Sequence, residues 1–115
     1  IYLIKPNFSD YICQDILGHI EGIHSRAMFG GYGIYKNGII FGIIVENQLY
    51  FKVDETNRSD YKPYGSEPFI YTGKNKSIRM PYWKVPEHLF ENPDTINEWV
   101  DRSVNISLKG NVKKK

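Results

Sequence analysis

The stretch that decides the fold is RAMFGGYGIYKNGIIFGIIVENQLYFKVD, residues 26–54. It reads as three consecutive β-strands. Asn37-Gly38 is a strong hairpin signal, because a type I′ turn needs φ > 0 at both central residues. With that turn in place Lys36 faces Ile39, Tyr35 faces Ile40, Ile34 faces Phe41 and Gly33 faces Gly42. A second tight turn falls at Glu46-Asn47-Gln48. Cross-strand neighbours share a face of the sheet. One face therefore carries Gly31, Gly33, Tyr35, Ile40, Gly42, Ile44, Leu49, Phe51 and Val53. The other carries Tyr32, Ile34, Lys36, Ile39, Phe41, Ile43, Val45, Tyr50 and Lys52. In the third strand the apolar Leu49, Phe51 and Val53 alternate with Tyr50, Lys52 and Asp54, so the first face is expected in the core.

Outward from this stretch, Phe8, Ile12, Ile16 and Ile20 recur every four residues. Tyr11 and Ile23 lie beside them, and Cys13 and Leu17 flank the stripe. This predicts an amphipathic helix with Asn7 as its cap and an end near Gly22. Downstream, Asp54 is expected to cap one or two helical turns ending at Gly65. Phe69–Thr72 and Ile78–Trp83 are a fourth and a fifth strand around a Gly73–Lys76 turn. Pro81 lacks an N–H and belongs at an edge or a bulge. Pro86 starts a single turn holding Leu89 and Phe90. Asn92 and Pro93 open a last helix with a buried stripe of Ile96, Trp99, Val100, Val104 and Leu108, ending at Gly110. The expected fold class is α+β: one five-stranded antiparallel sheet with helices on it, in the order α-β-β-β-α-β-β-α.

The chain of 115 residues is 41% hydrophobic and 15% aromatic, which suits one folded domain. The core is expected over about 7–108. Fifteen basic residues stand against 13 acidic ones. Three of the basic residues are Lys113 to Lys115, so the rest is close to neutral and 109–115 is a basic tail expected to fray. One cysteine excludes an internal disulfide and points to a reducing cytoplasm. No apolar run reaches the length of about 18 residues that a membrane span requires.

Catalytic and cofactor chemistry is not legible. His19, His24 and His88 have no metal spacing with Cys13. Gly30-Gly31-Tyr32-Gly33 leads into a hairpin where a dinucleotide fingerprint would open a helix. No catalytic residue, cofactor or metal is therefore expected, and the domain is read as non-enzymatic. The face with Tyr32, Ile34, Phe41, Ile43, Tyr50 and Lys52 is too apolar to be a solvated one. It calls for cover by the chain itself, by a protein partner or second copy, or by stacked nucleobases. A weaker nucleic-acid candidate is the Lys74, Lys76, Arg79, Tyr82, Trp83 cluster together with the basic tail, where charge and stacking could combine.

Residues 26–35 (RAMFGGYGIY), Asn37-Gly38, Leu49–Asp54, Asn57-Arg58, Gly65–Phe69 and Met80–Pro86 together resemble the TfoX N-terminal domain family of bacteria, over roughly Asn7 to Leu108. The resemblance implies the same α+β fold. It also implies kinship with regulators of natural competence, which carry a second, helical C-terminal domain. This chain is read as the N-terminal domain standing alone. The family pattern offers no catalytic residues. The expectation is a regulatory or adaptor domain acting through protein contacts on the sheet. The alternatives are a nucleic-acid-binding regulator and a small-molecule-binding domain.

Overall fold

A computed structural model describes residues 8–28 and 30–113, with side chains described as far as residue 110. The Asn7 cap, Phe29 and the end of the basic tail lie outside the described residues. A helix begins as α1 (Phe8–Asp10) and continues without a break as a π-helical stretch, Tyr11–Ile16. Four strands follow: β1 (Ile23–Met28), β2 (Gly31–Lys36), β3 (Ile39–Val45) and β4 (Gln48–Lys52). Then come α2 (Arg58–Tyr61), a 3-10 turn (Lys62–Tyr64), β5 (Pro68–Thr72), β6 (Ser77–Lys84), a second 3-10 turn (Glu87–Glu91) and the long helix α3 (Pro93–Lys113). The strands form one antiparallel sheet in the order β1-β2-β3-β4-β6-β5.

The sheet has six strands, one more than the sequence predicts. The extra one is β1, whose Ile23 the sequence reading assigns to the preceding helix. β1 is an edge strand with His24 and Arg26 exposed, so it lacks a strong apolar alternation. The first helix also ends earlier than Gly22. Leu17 donates its N–H to the Ile12 carbonyl five residues back, at 2.8 Å. This wider π-type turn brings both Ile12 and Leu17 fully into the core. Gly22 instead sits at φ +84 in the approach to β1, where its carbonyl accepts the Asn37 N–H at 2.9 Å. At the other end α3 runs through Gly110 to Lys113, in place of the predicted stop.

Both predicted tight turns form. Asn37 and Gly38 have φ of 51° and 84°, and Glu46 and Asn47 have φ of 51° and 62°. The register between β2 and β3 nevertheless differs from a simple hairpin. Lys36 faces Ile39 and Tyr35 faces Ile40, but Ile34 then faces Gly42, and Gly33 faces Ile43. Phe41 is the extra residue of a β-bulge. A bulge turns its strand and breaks the alternation locally. Ile34 and Phe41 consequently lie on the helix side, fully buried. Phe41 meets Phe51 edge-on with ring centroids 5.5 Å apart. Gly33 moves to the opposite face with Ile43, and Tyr35 and Ile40 pair there too. Gly33, Tyr35 and Ile40, expected on the core face, therefore lie on the open one.

The core lies between one sheet face and the helices. Ile34, Phe41, Ile44, Leu49, Phe51 and Val53 supply the sheet side, and Ile12, Leu17, Ile96, Trp99 and Val100 the helix side. α3 starts as predicted, with the Asn92 side chain accepting the Thr95 N–H at 3.3 Å. Its buried face includes two serines that a hydrophobic stripe does not reveal. Ser103 donates to the Lys52 carbonyl at 2.8 Å, and Ser107 donates to the Ile40 carbonyl beside the bulge. Buried hydroxyls need such partners. Pro81 lies where the β5–β6 register slips between Pro68 and Ile70, a bulge that suits its missing donor.

The glycines test this register. A Cβ on Gly31 would stand 2.1 Å from the Ile44 carbonyl oxygen, a backbone atom that cannot move without the strand. A Cβ on Gly33 would meet the Met28 sulfur at 2.5 Å, the far end of a flexible side chain. Gly31→Ala is expected to destabilise by roughly 1–3 kcal/mol, the usual cost of overpacking. Gly33→Ala is expected to cost clearly less. Urea unfolding of the two variants measures the difference.

Candidate functional site

The sheet face turned away from the helices carries the candidate site. The sheet curls so that β1, β2 and β3 on one side and β5 and β6 on the other border a common hollow of about 370 Å³. Ile40, Ile43 and Val45 form its floor on β3. Met28 and Tyr32 close one wall, and Phe69, Tyr71, Met80 and Tyr82 the other. Every lining side chain is apolar or aromatic. Among the described residues no helix crosses this face. The volume falls within the usual range of ligand pockets, though those also carry a few convergent polar groups.

Alternation along each strand places these side chains. Ile43 pairs with Tyr50, and Lys52 with Tyr82. Tyr50 is half-buried against Phe69, with ring centroids 5.2 Å apart. The Lys52 ammonium stands 5.6 Å from the centroid of the Tyr82 ring, within cation–π reach. Burial raises the Tyr82 phenol, with the Tyr35 phenol adding to the shift. Burial likewise raises Tyr50, with Glu46 contributing. Both tyrosines therefore stay neutral well above physiological pH.

Of the six residues expected on this face, Ile43, Tyr50 and Lys52 are there. Tyr32 is half-buried, touching both the hollow and the core. Ile34 and Phe41 are not available to any partner, because the bulge turns them inward. The sequence also misses Met28, Ile40 and Phe69 as contributors to one hollow. Only the curl of the sheet, which brings sequence-distant strands together, reveals them.

The nucleic-acid cluster divides. Lys74, Lys76 and Arg79 are exposed on the β5–β6 hairpin. Tyr82 is buried toward the hollow, whereas Trp83 points to the helix side and meets Tyr61 edge-on. The two rings lie on opposite faces of β6, so they offer no shared stacking platform beside the cations.

The remaining singled-out groups have structural partners. His19 and Asn97 are hydrogen-bonded at 2.7 Å, His24 stacks on Tyr35, and His88 tilts against Tyr64. Burial pushes the Cys13 thiol up, against a reactive thiolate. Among the described residues no group of three His, Cys, Asp or Glu gathers as a metal site. No described helix is long and apolar enough to cross a membrane.

Asp54 heads a turn without capping α2 directly. Its carboxylate accepts the Thr56 N–H at 2.7 Å and the Thr56 hydroxyl. The buried Asn57 ties this turn to β4, accepting from the Asp54 N–H and donating to the Lys52 carbonyl. Partial burial raises the Asp54 carboxyl. The Thr56 bonds, with Lys109 and Arg58, outweigh it and leave the group below its ordinary 3.8. A carboxylate held low in the folded state stabilises that state above its unfolded value. That contribution is lost as pH falls below 3.8 through the folded value. Asp54→Asn is expected to flatten this part of the acid-unfolding curve, followed by circular dichroism.

The curled antiparallel sheet backed by helices on one face, with the opposite face apolar, defines the class as an α+β domain built on one antiparallel sheet. A sequence model of the TfoX N-terminal domain matches residues 15–106, and the chain belongs to that family. It is similar to Protein Sxy of Escherichia coli (strain K12), with 22% identity over 99 residues, covering 86% of this chain and 47% of the relative. The chain thus spans about half the length of the curated relative it matches.

Proposed function

We propose that this domain is a regulatory or adaptor module without catalysis of its own, working through protein contacts on the open sheet face. The observation that carries the reading is the apolar hollow between β3 and the β5–β6 hairpin, which no helix among the described residues covers. Exposed contiguous apolar surface of this kind commonly marks a contact site. Family membership supports a regulatory role, since the family takes its name from competence regulators. Tyr50, Tyr32 and Ile43 are the anchors; the two tyrosines are aromatic groups with polar tips that suit interface centres.

Quantitative affinity capture with the tagged domain tests this. Tyr50→Ala and Ile43→Asp are expected to weaken the captured partner at least tenfold, equivalent to about 1.4 kcal/mol. Glu87→Ala, on the helix side, should leave capture unchanged. Partner binding that is indifferent to both Tyr50→Ala and Ile43→Asp, with each verified as folded, defeats the proposal.

A further inference from the structure

The two edges of the sheet are not alike. β1 at one edge presents exposed His24 and Arg26. β5 at the other reads Pro-Phe-Ile-Tyr-Thr and has no charged side chain. Open strand edges invite pairing, and proteins usually guard them with charge, proline or a covering element. Pro68 guards only the first position of β5. Beside it the hairpin exposes Ile70, Tyr71 and Ile78 at 45%, 47% and 43%. Such exposure of three large apolar side chains on one hairpin has no intramolecular explanation among the described residues.

We infer that β5 is a self-association edge: two copies pair antiparallel along Pro68–Thr72 about a two-fold axis at Ile70, joining their sheets into one. The inference deepens the proposed protein-contact function by naming a second copy as the partner, and it rests on that reading in placing function on the sheet. Three features of β5 select a second copy. First, a two-fold axis at Ile70 places Ile70 opposite Ile70 of the second copy, and Phe69 opposite Tyr71. Phe69 and Tyr71 line the same hollow, so they share a face, and this register matches face to face. Second, aromatic cross-strand pairs form twice, as the isologous symmetry requires. Third, the strand is flanked by opposite charges, with exposed Glu67 before it and exposed Lys74 after it. Antiparallel pairing brings Glu67 of one copy to the end where Lys74 of the other lies. Parallel pairing would set like charges together. The junction also places the two hollows on one face of the combined sheet.

Light scattering after size exclusion, over a dilution series of the full chain, tests the inference. The expected mass at high concentration is twice 13.4 kDa. Ile70→Lys is expected to weaken the dimer at least tenfold. Lys74→Glu alone should weaken it roughly two- to fivefold, the range of an exposed ion pair, and Glu67→Lys with Lys74→Glu should restore it. Circular dichroism verifies folding, and Thr72→Lys on the same edge replaces Ile70→Lys if that variant unfolds. A monomer up to millimolar concentration overturns the inference. So does a dimer indifferent to Ile70→Lys but lost with Ile43→Asp, a result that would leave the protein-contact reading standing.

Discussion

Phe41→Ala is expected to destabilise the domain by about 3–5 kcal/mol, the range for truncating a buried aromatic ring. A domain of this kind has only about 5–15 kcal/mol in total. Phe41 is fully buried and packs edge-on against Phe51. The backbone around it has already given up regular pairing to form the bulge, so the cavity is poorly placed to collapse. Without the bulge, Phe41 would lie on the open face and its truncation would be nearly neutral. Ile43→Ala, on that open face, is the internal comparison and is expected to cost much less. Urea unfolding of both variants, read at constant m-value, decides between the two registers.

Trp99→Ala is expected to fall in the same range of about 3–5 kcal/mol, for a different reason. Trp99 is where α3, α2 and the following 3-10 turn meet. Its ring lies 4.2 Å from the Tyr61 centroid and 6.0 Å from the Tyr64 centroid. Loss of the indole removes the packing that holds Tyr61 under the helix. Tyr61 is itself buried, and no described protein group hydrogen-bonds its hydroxyl. Burial drives that phenol far above its ordinary value, so it stays neutral. Trp99→Ala should therefore loosen the Arg58–Tyr64 segment as well as lower global stability. Hydrogen exchange at Tyr61 and Gly65 amides, compared with those of β3, reports the local part.

Much of this architecture is legible from local chemistry. Asn37-Gly38 and Glu46-Asn47 adopt the left-handed conformations that tight hairpins demand. The Leu49-Phe51-Val53 alternation identifies the core face of β4 correctly. Asn92, Pro93 and the Ile96-Trp99-Val100 stripe place α3. Each of these signals spans only a few residues, which is why it survives without tertiary information. β1 is missed because an edge strand has little buried surface to impose a pattern.

The candidate site is less legible, and Phe41 shows why. In the stretch 26–54 a turn fixes the register only of the pairs beside it, here Lys36 with Ile39 and Tyr35 with Ile40. Beyond them, one inserted residue exchanges the two faces of the strand. Sequence alone therefore determines that this stretch forms antiparallel hairpins with one buried and one apolar open face. It cannot determine which of Ile34, Phe41, Gly33 and Ile43 belongs to which face. Tertiary structure decides that, because the helices bury the larger side chains of Ile34 and Phe41 and leave Gly33 outside. The same limit holds for the hollow: its walls come from strands some forty residues apart, and only the curl of the sheet makes them one surface.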